Sequence, residues 1–157
     1  MFDLYEEFRK LMEALDEHKI DYALCGGLAL AVYDRPRATV DIDLLIISES
    51  LDQVLEIAKT LDYTIRGLDM TFAKGGIEIR RVSKIHSQTG QVLSLDLLLV
   101  TPEIRQVWDS RVAADWEGGR FFVVSREGLI SLKMMRGSPQ DLADIVALKE
   151  DIDDATN

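Results

Sequence analysis

Two aspartates one residue apart, Asp41 and Asp43, stand in the apolar run 40–47 (VDIDLLII). Such a run reads as a β-strand. Strand side chains alternate between faces, so Thr39, Asp41 and Asp43 project together while Val40, Ile42, Leu44 and Ile46 point the other way. Two rises of about 3.3 Å put the two acids' attachment points about 6–7 Å apart, a spacing from which both can reach one divalent cation or bridge two. Ligands that are all carboxylate oxygen suit Mg²⁺ or Mn²⁺, not zinc, and a cation removes the repulsion between neighbouring anions. The plainer alternative is an edge strand that turns two acids to solvent.

A third acid, Asp96, interrupts the Leu- and Val-rich stretch 92–100. A buried carboxylate without a partner is costly, so Asp96 calls for a cation, either a metal shared with Asp41 and Asp43 or a base such as Arg80 or Arg81, unless it sits on an exposed face with Ser94. Upstream, Gly26 and Gly27 close the short apolar run 22–25. Without side chains their N–H groups can approach an anion such as a triphosphate, although two glycines also make an ordinary turn. A basic loop carrying Arg35 and Arg37 lies between the glycines and the acid pair.

The order Leu24-Cys25-Gly26-Gly27, Arg37-Ala-Thr39, Asp41-Ile-Asp43-Leu and later Leu95-Asp96-Leu resembles the nucleotidyltransferase superfamily, and more narrowly the minimal and AbiEii-type toxin nucleotidyltransferases of type IV toxin–antitoxin systems. Leu24 to Leu45 match closely. Lys133, with the stretch through Asp141 and Asp144, is similar to a later helical motif of these families; Ser138-Pro-Gln stands where basic residues are more usual. The resemblance implies a nucleotidyltransferase fold and transfer of NMP from an NTP to an acceptor hydroxyl. Asp41, Asp43 and Asp96 would be catalytic residues holding Mg²⁺ or Mn²⁺ in a two-metal site. Gly26, Gly27, Arg37, Thr39 and Lys133 would contact the nucleotide. The acceptor is a protein, an RNA end or a small molecule, and an antitoxin-like partner protein is implied as well.

These residues must be held by elements that the patterning outlines. Leu4, Phe8, Leu11, Met12 and Leu15 recur at helical spacing, predicting a helix from the start to near His18–Lys19. Strand 22–25 and a short helix 28–33 follow; then come strand 40–47 and a helix 51–61 capped by Ser48 or Ser50. Segments 70–72, 77–82, 92–100 and 121–124 read as strands. Ser125 caps a helix to about Met135, and Ser138-Pro139-Gln-Asp141 is a capping box opening a last helix to about Lys149. The expected class is α/β (α+β), a small mixed sheet flanked by helices, in a single domain over 1–150 with an acidic tail at 151–157.

The 157 residues suffice for one core, and 18 Lys+Arg against 28 Asp+Glu give a net charge of −10, which argues against a general nucleic-acid coat. One cysteine and two histidines exclude an internal disulfide and the usual Cys/His metal sites. Cys25 reads as packing, and the absence of a leader or a long apolar span points to the cytoplasm and away from the membrane. His18 and His86 read as surface residues. Trp108 and Trp116 read as core before acceptor surface, and Asp141 as a helix cap before a partner of Lys133 or Arg136. Two other functions compete with transfer: a non-enzymatic or weakly active nucleotide-binding module of a toxin–antitoxin pair, and a phosphatase with Asp41 as nucleophile. The second is disfavoured because Leu45 stands where that D-x-D motif carries Thr.

Overall fold

The computed structural model describes residues 1–33, 41–117 and 119–156, with side chains described through 150. Arg35, Arg37 and Thr39 lie outside the described residues. Helix α1 (Leu4–Glu17) starts at Asp3, whose carboxylate accepts from the backbone N–H groups of Tyr5 and Glu6, and it buries Phe8, Leu11, Met12 and Leu15. Strand β1 (Ala23–Cys25) runs without a break into α2 (Gly26–Val32), so the two glycines form the first turn of that helix instead of preceding it. Strand β2 (Asp41–Ile46) leads through a 3₁₀ turn at Ser48–Ser50 to α3 (Leu51–Thr60); Ser50 makes no side-chain cap there.

The middle of the chain supplies β3 (Ile65–Arg66), β4 (Met70–Phe72), β5 (Ile77–Ile85) and β6 (Val92–Leu99). Helix α4 (Arg105–Asp109), the hairpin of β7 (Val112–Trp116) and β8 (Gly119–Val123), α5 (Arg126–Arg136) and α6 (Pro139–Thr156) complete the described chain. Both predicted caps form: Ser125 accepts from the Gly128 N–H, and Ser138 and Asp141 bond reciprocally in a capping box. Helix α6 runs past Lys149, where the sequence pattern stops, through the acidic segment to Thr156. No helix among the described residues is long and apolar enough to cross a membrane.

Among the described residues eight strands form one mixed sheet, ordered β3-β5-β6-β2-β1-β8-β7 with β4 also on β5. Strand β2 is central, antiparallel to β1 and parallel to β6. Ile42, Leu44, Leu45 and Ile46 are fully buried, so both faces of β2 are covered and the edge-strand explanation of its two acids fails. Alternation along β1 sends Leu24 and Cys25 to opposite faces. Leu24 shares a cleft with Phe8 of α1, whereas Cys25 lies with Leu129 and Leu132 of α5. Helix α1 therefore covers one face and α5 the other, with α3 packed beside α1 and α6 beside α5.

Candidate active site

The acids sit in a row that crosses four strands. Cys25 on β1 is in register with Asp43 on β2, Asp43 with Asp96 on β6, and Asp96 with Arg81 on β5. Neighbouring strands lie about 4.8 Å apart, so these four side chains leave the sheet side by side on the α5 face. One step toward the start of β2, Asp41 is in register with Ser94 and Ser94 with Ser83, whose hydroxyls bond at 2.9 Å. One step the other way the row is apolar: Ala23, Leu45, Leu98 and Ile79. The sheet face thus turns from hydrocarbon to polar over three rows, and the acids lie where it changes.

Gly26 makes room for Asp43. Its φ is +69°, and a Cβ there would fall 2.1 Å from Asp43 Oδ2 and 2.6 Å from its Cγ. Only glycine satisfies both the left-handed backbone and that approach. The residue read from sequence as a seat for phosphate is thus, in this structure, the neighbour that lets a carboxylate stand at the mouth of α2. Gly27 is buried behind it and lines the same cleft.

Asp43 is 9% exposed, and among the described residues its carboxylate accepts no hydrogen bond and forms no ion pair. Burial pushes this carboxyl up to about 7, helped by repulsion from Asp96 and Asp41 and opposed by Arg136 and Lys133. Asp41, half-buried, is also raised, by burial first and Asp96 second. Asp96 is held by Arg81 through two parallel bonds, Nε to Oδ1 at 2.7 Å and Nη2 to Oδ2 at 2.9 Å. The base considered as its alternative partner is therefore the one it has here. Cys25 is wholly buried, and burial with Asp43 alongside holds its thiol well above its ordinary pKa, which suits packing and not nucleophilic chemistry.

Across the cleft α5 presents Lys133, buried, with its ammonium 2.8 Å from Asp144 Oδ2 and 3.8 Å from Asp141 Oδ1. Asp144 also accepts from Gln140 Nε2 at 3.0 Å, and Arg136 Nε lies 3.9 Å from Asp141. Asp141 is thus both the capping-box acid and a neighbour of Lys133, while Asp144 is the lysine's direct partner. The cleft of about 170 Å³ is lined by Gly26, Gly27, Asp41, Asp43, Arg81, Asp96, Lys133, Arg136, Ser138, Gln140 and Asp141. The structure brings together every predicted site residue that it describes. Arg136 and Gln140 are additions that helical spacing from Lys133 and Asp144 could have signalled.

The remaining candidates lie elsewhere. Trp108 is in the core, and Trp116 packs with Phe8 and Phe121 in an apolar cleft on the α1 face. His18 is exposed, and the His86 ring accepts from the Gln88 and Thr89 N–H groups within its turn.

Residues 1–153 match the family described as "Nucleotidyltransferase of unknown function (DUF6036)". The chain belongs to that family. No curated protein matches it by sequence. Among solved structures, a candidate nucleotidyltransferase from Thermotoga maritima superposes with a TM-score of 0.64 at 13% identity, over 96% of this chain and 93% of that one. The solution structure of the antibiotic-resistance factor ANT(2'')-Ia gives 0.65 at 16% identity, over 96% of this chain and 86% of that one. A crystal structure of ANT(2'')-Ia with adenylyl-2''-tobramycin gives 0.63 at 16%, covering 92% and 87%. These likenesses establish the nucleotidyltransferase fold for the chain.

The chemistry of the donor set fits a hard divalent cation: carboxylate oxygens converge on one cleft, and a buried acid lacks a donor among the described residues. As the side chains stand, however, no three Asp, Glu, His or Cys residues among those described gather closely enough to hold a metal ion. Arg81 occupies both oxygens of Asp96.

Proposed function

We propose that this nucleotidyltransferase moves a nucleoside monophosphate from an NTP to an acceptor hydroxyl. The buried Asp43 carboxylate, set between Asp41 and Asp96 in a cleft that also holds Lys133 and Arg136, carries the reading. A cleft with anionic ligands on one wall and fixed cations on the other suits a substrate that is itself a polyphosphate with bound metal. Mg²⁺ or Mn²⁺ held by Asp41, Asp43 and Asp96 would supply Lewis-acid stabilisation of the attacking and leaving oxygens. In the transfer the acceptor oxygen bonds to the α-phosphorus and the bridging oxygen to the β-phosphorus departs with pyrophosphate, while the hydroxyl proton passes to a cleft carboxylate.

Lys133 and Arg136 would neutralise the triphosphate, Lys133 as a point charge oriented by Asp144 and Arg136 as a planar fork. The resemblance gives Gly26 and Gly27, beside the Asp43 carboxylate, together with Arg37 and Thr39, contacts to the same nucleotide. The net charge of −10 disfavours a polyanionic acceptor and supports a small hydroxyl compound, neutral or cationic, as in the tobramycin adduct of ANT(2'')-Ia.

The test uses α-labelled NTPs, Mg²⁺ and a panel of small hydroxyl acceptors. Label should transfer with release of pyrophosphate, and Asp41→Asn or Asp43→Asn should each abolish it while the fold persists. Transfer retained by both variants would reject the assignment.

One observation favours a second reading, a weakly active nucleotide-binding module of a toxin–antitoxin pair: both oxygens of the third acid are engaged by Arg81. Calorimetric NTP binding without product, together with co-elution with a partner protein, would favour it.

A further inference from the structure

We propose that Arg81 is a built-in counter-cation that competes with a divalent metal for Asp96, so that the free protein binds metal weakly and a nucleoside triphosphate releases the site. The inference rests on the metal-dependent reading above and adds to it a residue outside the motifs that carry the resemblance.

Three observations support it. The guanidinium takes both Asp96 oxygens, at 2.7 and 2.9 Å, so the oxygens that would face a metal are already engaged by a rigid fork. The fork also shares its cleft with the other two acids, since Asp41, Asp43 and Arg81 all line it. Arg81 thus supplies part of the positive charge that a metal would otherwise bring to the acid row.

The arginine is also held in place by residues with no other contact to the cleft. Just after β3, the Gly67 N–H donates to the Arg81 carbonyl at 2.9 Å, and Arg66 Nη1 donates to the same oxygen at 3.0 Å. A Cβ on Gly67 would lie 3.1 Å from Arg81 Cβ and Cγ and 3.3 Å from its Cδ. Glycine there lets the loop lie against the aliphatic stem and aim the fork at β6. Arg80, the next residue back, turns the other way, toward Asp69 at 3.5 Å.

A triphosphate suits the release because its oxygens offer a guanidinium the same paired geometry as a carboxylate, with more charge. The Arg81 side chain is 37% exposed and already lines the cleft, which leaves its fork able to turn from Asp96 to a phosphate bound there.

The experiment measures Mn²⁺ binding to the intact chain by electron paramagnetic resonance of free Mn²⁺, with and without a non-hydrolysable NTP analogue. Wild type should bind weakly alone and at least about tenfold more tightly with the analogue, after correction for Mn²⁺ bound by the analogue itself. Arg81→Gln should bind Mn²⁺ about tenfold more tightly than wild type without nucleotide, and should lose most of the cooperative gain. Arg81→Lys, a point charge without the fork, should fall between. Gly67→Ala, which shifts the stem and leaves every acid intact, should tighten binding severalfold, and it decides the matter if Arg81→Gln does not fold. In the double variant Arg81→Gln/Asp43→Asn the gain must vanish. Equal or weaker Mn²⁺ binding by Arg81→Gln overturns the counter-cation role. The transferase reading survives that result provided wild-type binding still depends on Asp43, and falls with it if no form of the protein binds Mn²⁺.

Discussion

Strand β5 carries two cations three residues apart, Arg81 and Lys84, and sends them to opposite faces of the sheet. On the α1 face Lys84 is buried 2.5 Å from Glu7, donates to the Leu61 carbonyl at 3.2 Å, and lies over the Tyr63 ring at 4.6 Å. Tyr63 OH also donates to Glu7 at 3.3 Å. One acid meets one base there, and the surrounding aromatics close the space. On the α5 face five described carboxylates, Asp41, Asp43, Asp96, Asp141 and Asp144, share a cleft region with three described cations, Arg81, Lys133 and Arg136. A neutralised pair packed by rings is a structural device, and an acid-rich row lining a cleft is held ready for charge from outside. The same strand chemistry serves either end, and the local balance of charge tells them apart.

The comparison is broken most sharply at its two centres. Asp43→Asn should reduce nucleotidyl transfer by about 10³-fold or more, since on the proposed reading it removes an oxygen that would hold the metal at the reacting groups. It should also raise the Tm by about 3 °C, the effect of relieving about 1 kcal/mol in a chain of this length, because the buried carboxylate is disfavoured by its surroundings. Parallel turnover and calorimetric scans check both; a fall in Tm would show that Asp43 is stabilised by something else. Lys84→Met should do the reverse, costing about 3 kcal/mol by leaving Glu7 buried without its cation, with turnover per folded molecule unchanged. Urea melts read the first part, and Lys84→Met/Glu7→Gln should recover most of the loss.

Smaller effects sharpen the contrast. Gly26→Ala should lower transfer by about 10²-fold and destabilise the chain by about 1–2 kcal/mol, from the left-handed φ and the displaced Asp43 together. A further contrast is one of pH. In chelator-treated protein the folded state keeps a proton on Asp43 up to about pH 7, whereas the unfolded chain gives it up near the ordinary carboxylate value, 3.8. The folded form then binds more protons between those values, so this group's contribution to stability falls as pH rises from about 4 to about 7. Melts across that window should show the decline in wild type and a flatter profile in Asp43→Asn.

Much of this arrangement was legible because it depends on local alternation. The D-x-D spacing in an apolar run puts Asp41 and Asp43 on one face whatever β2 pairs with, and Ser138-Pro139-Gln-Asp141 specifies its cap within four residues. What escaped depends on lateral register. The pairing of Arg81 with Asp96 is set by how β5 folds back on β6 through the turn at 86–91, which neither strand's composition reveals. The clearance between Gly26 and Asp43 likewise belongs to two elements at once, the first turn of α2 and strand β2. The sequence pattern hides strand β7 because Ala113, Ala114 and Asp115 lack the alternation of a half-buried strand; all five of its residues pair in register with a hairpin partner that is itself exposed at Gly119, Arg120 and Phe122. Helix α6 outlasts its apolar stripe, ending at Thr156 where the stripe suggests Lys149.

The row from Cys25 through Asp43 and Asp96 to Arg81 draws its members from four strands that are scattered along the chain. During synthesis, therefore, no fragment ending before β6 has emerged can assemble even a crude version of the centre. The cleft is complete only when α5 has added Lys133 and Arg136 opposite that row, so a chain cut short before α5 holds the acids without the two cations of the facing wall.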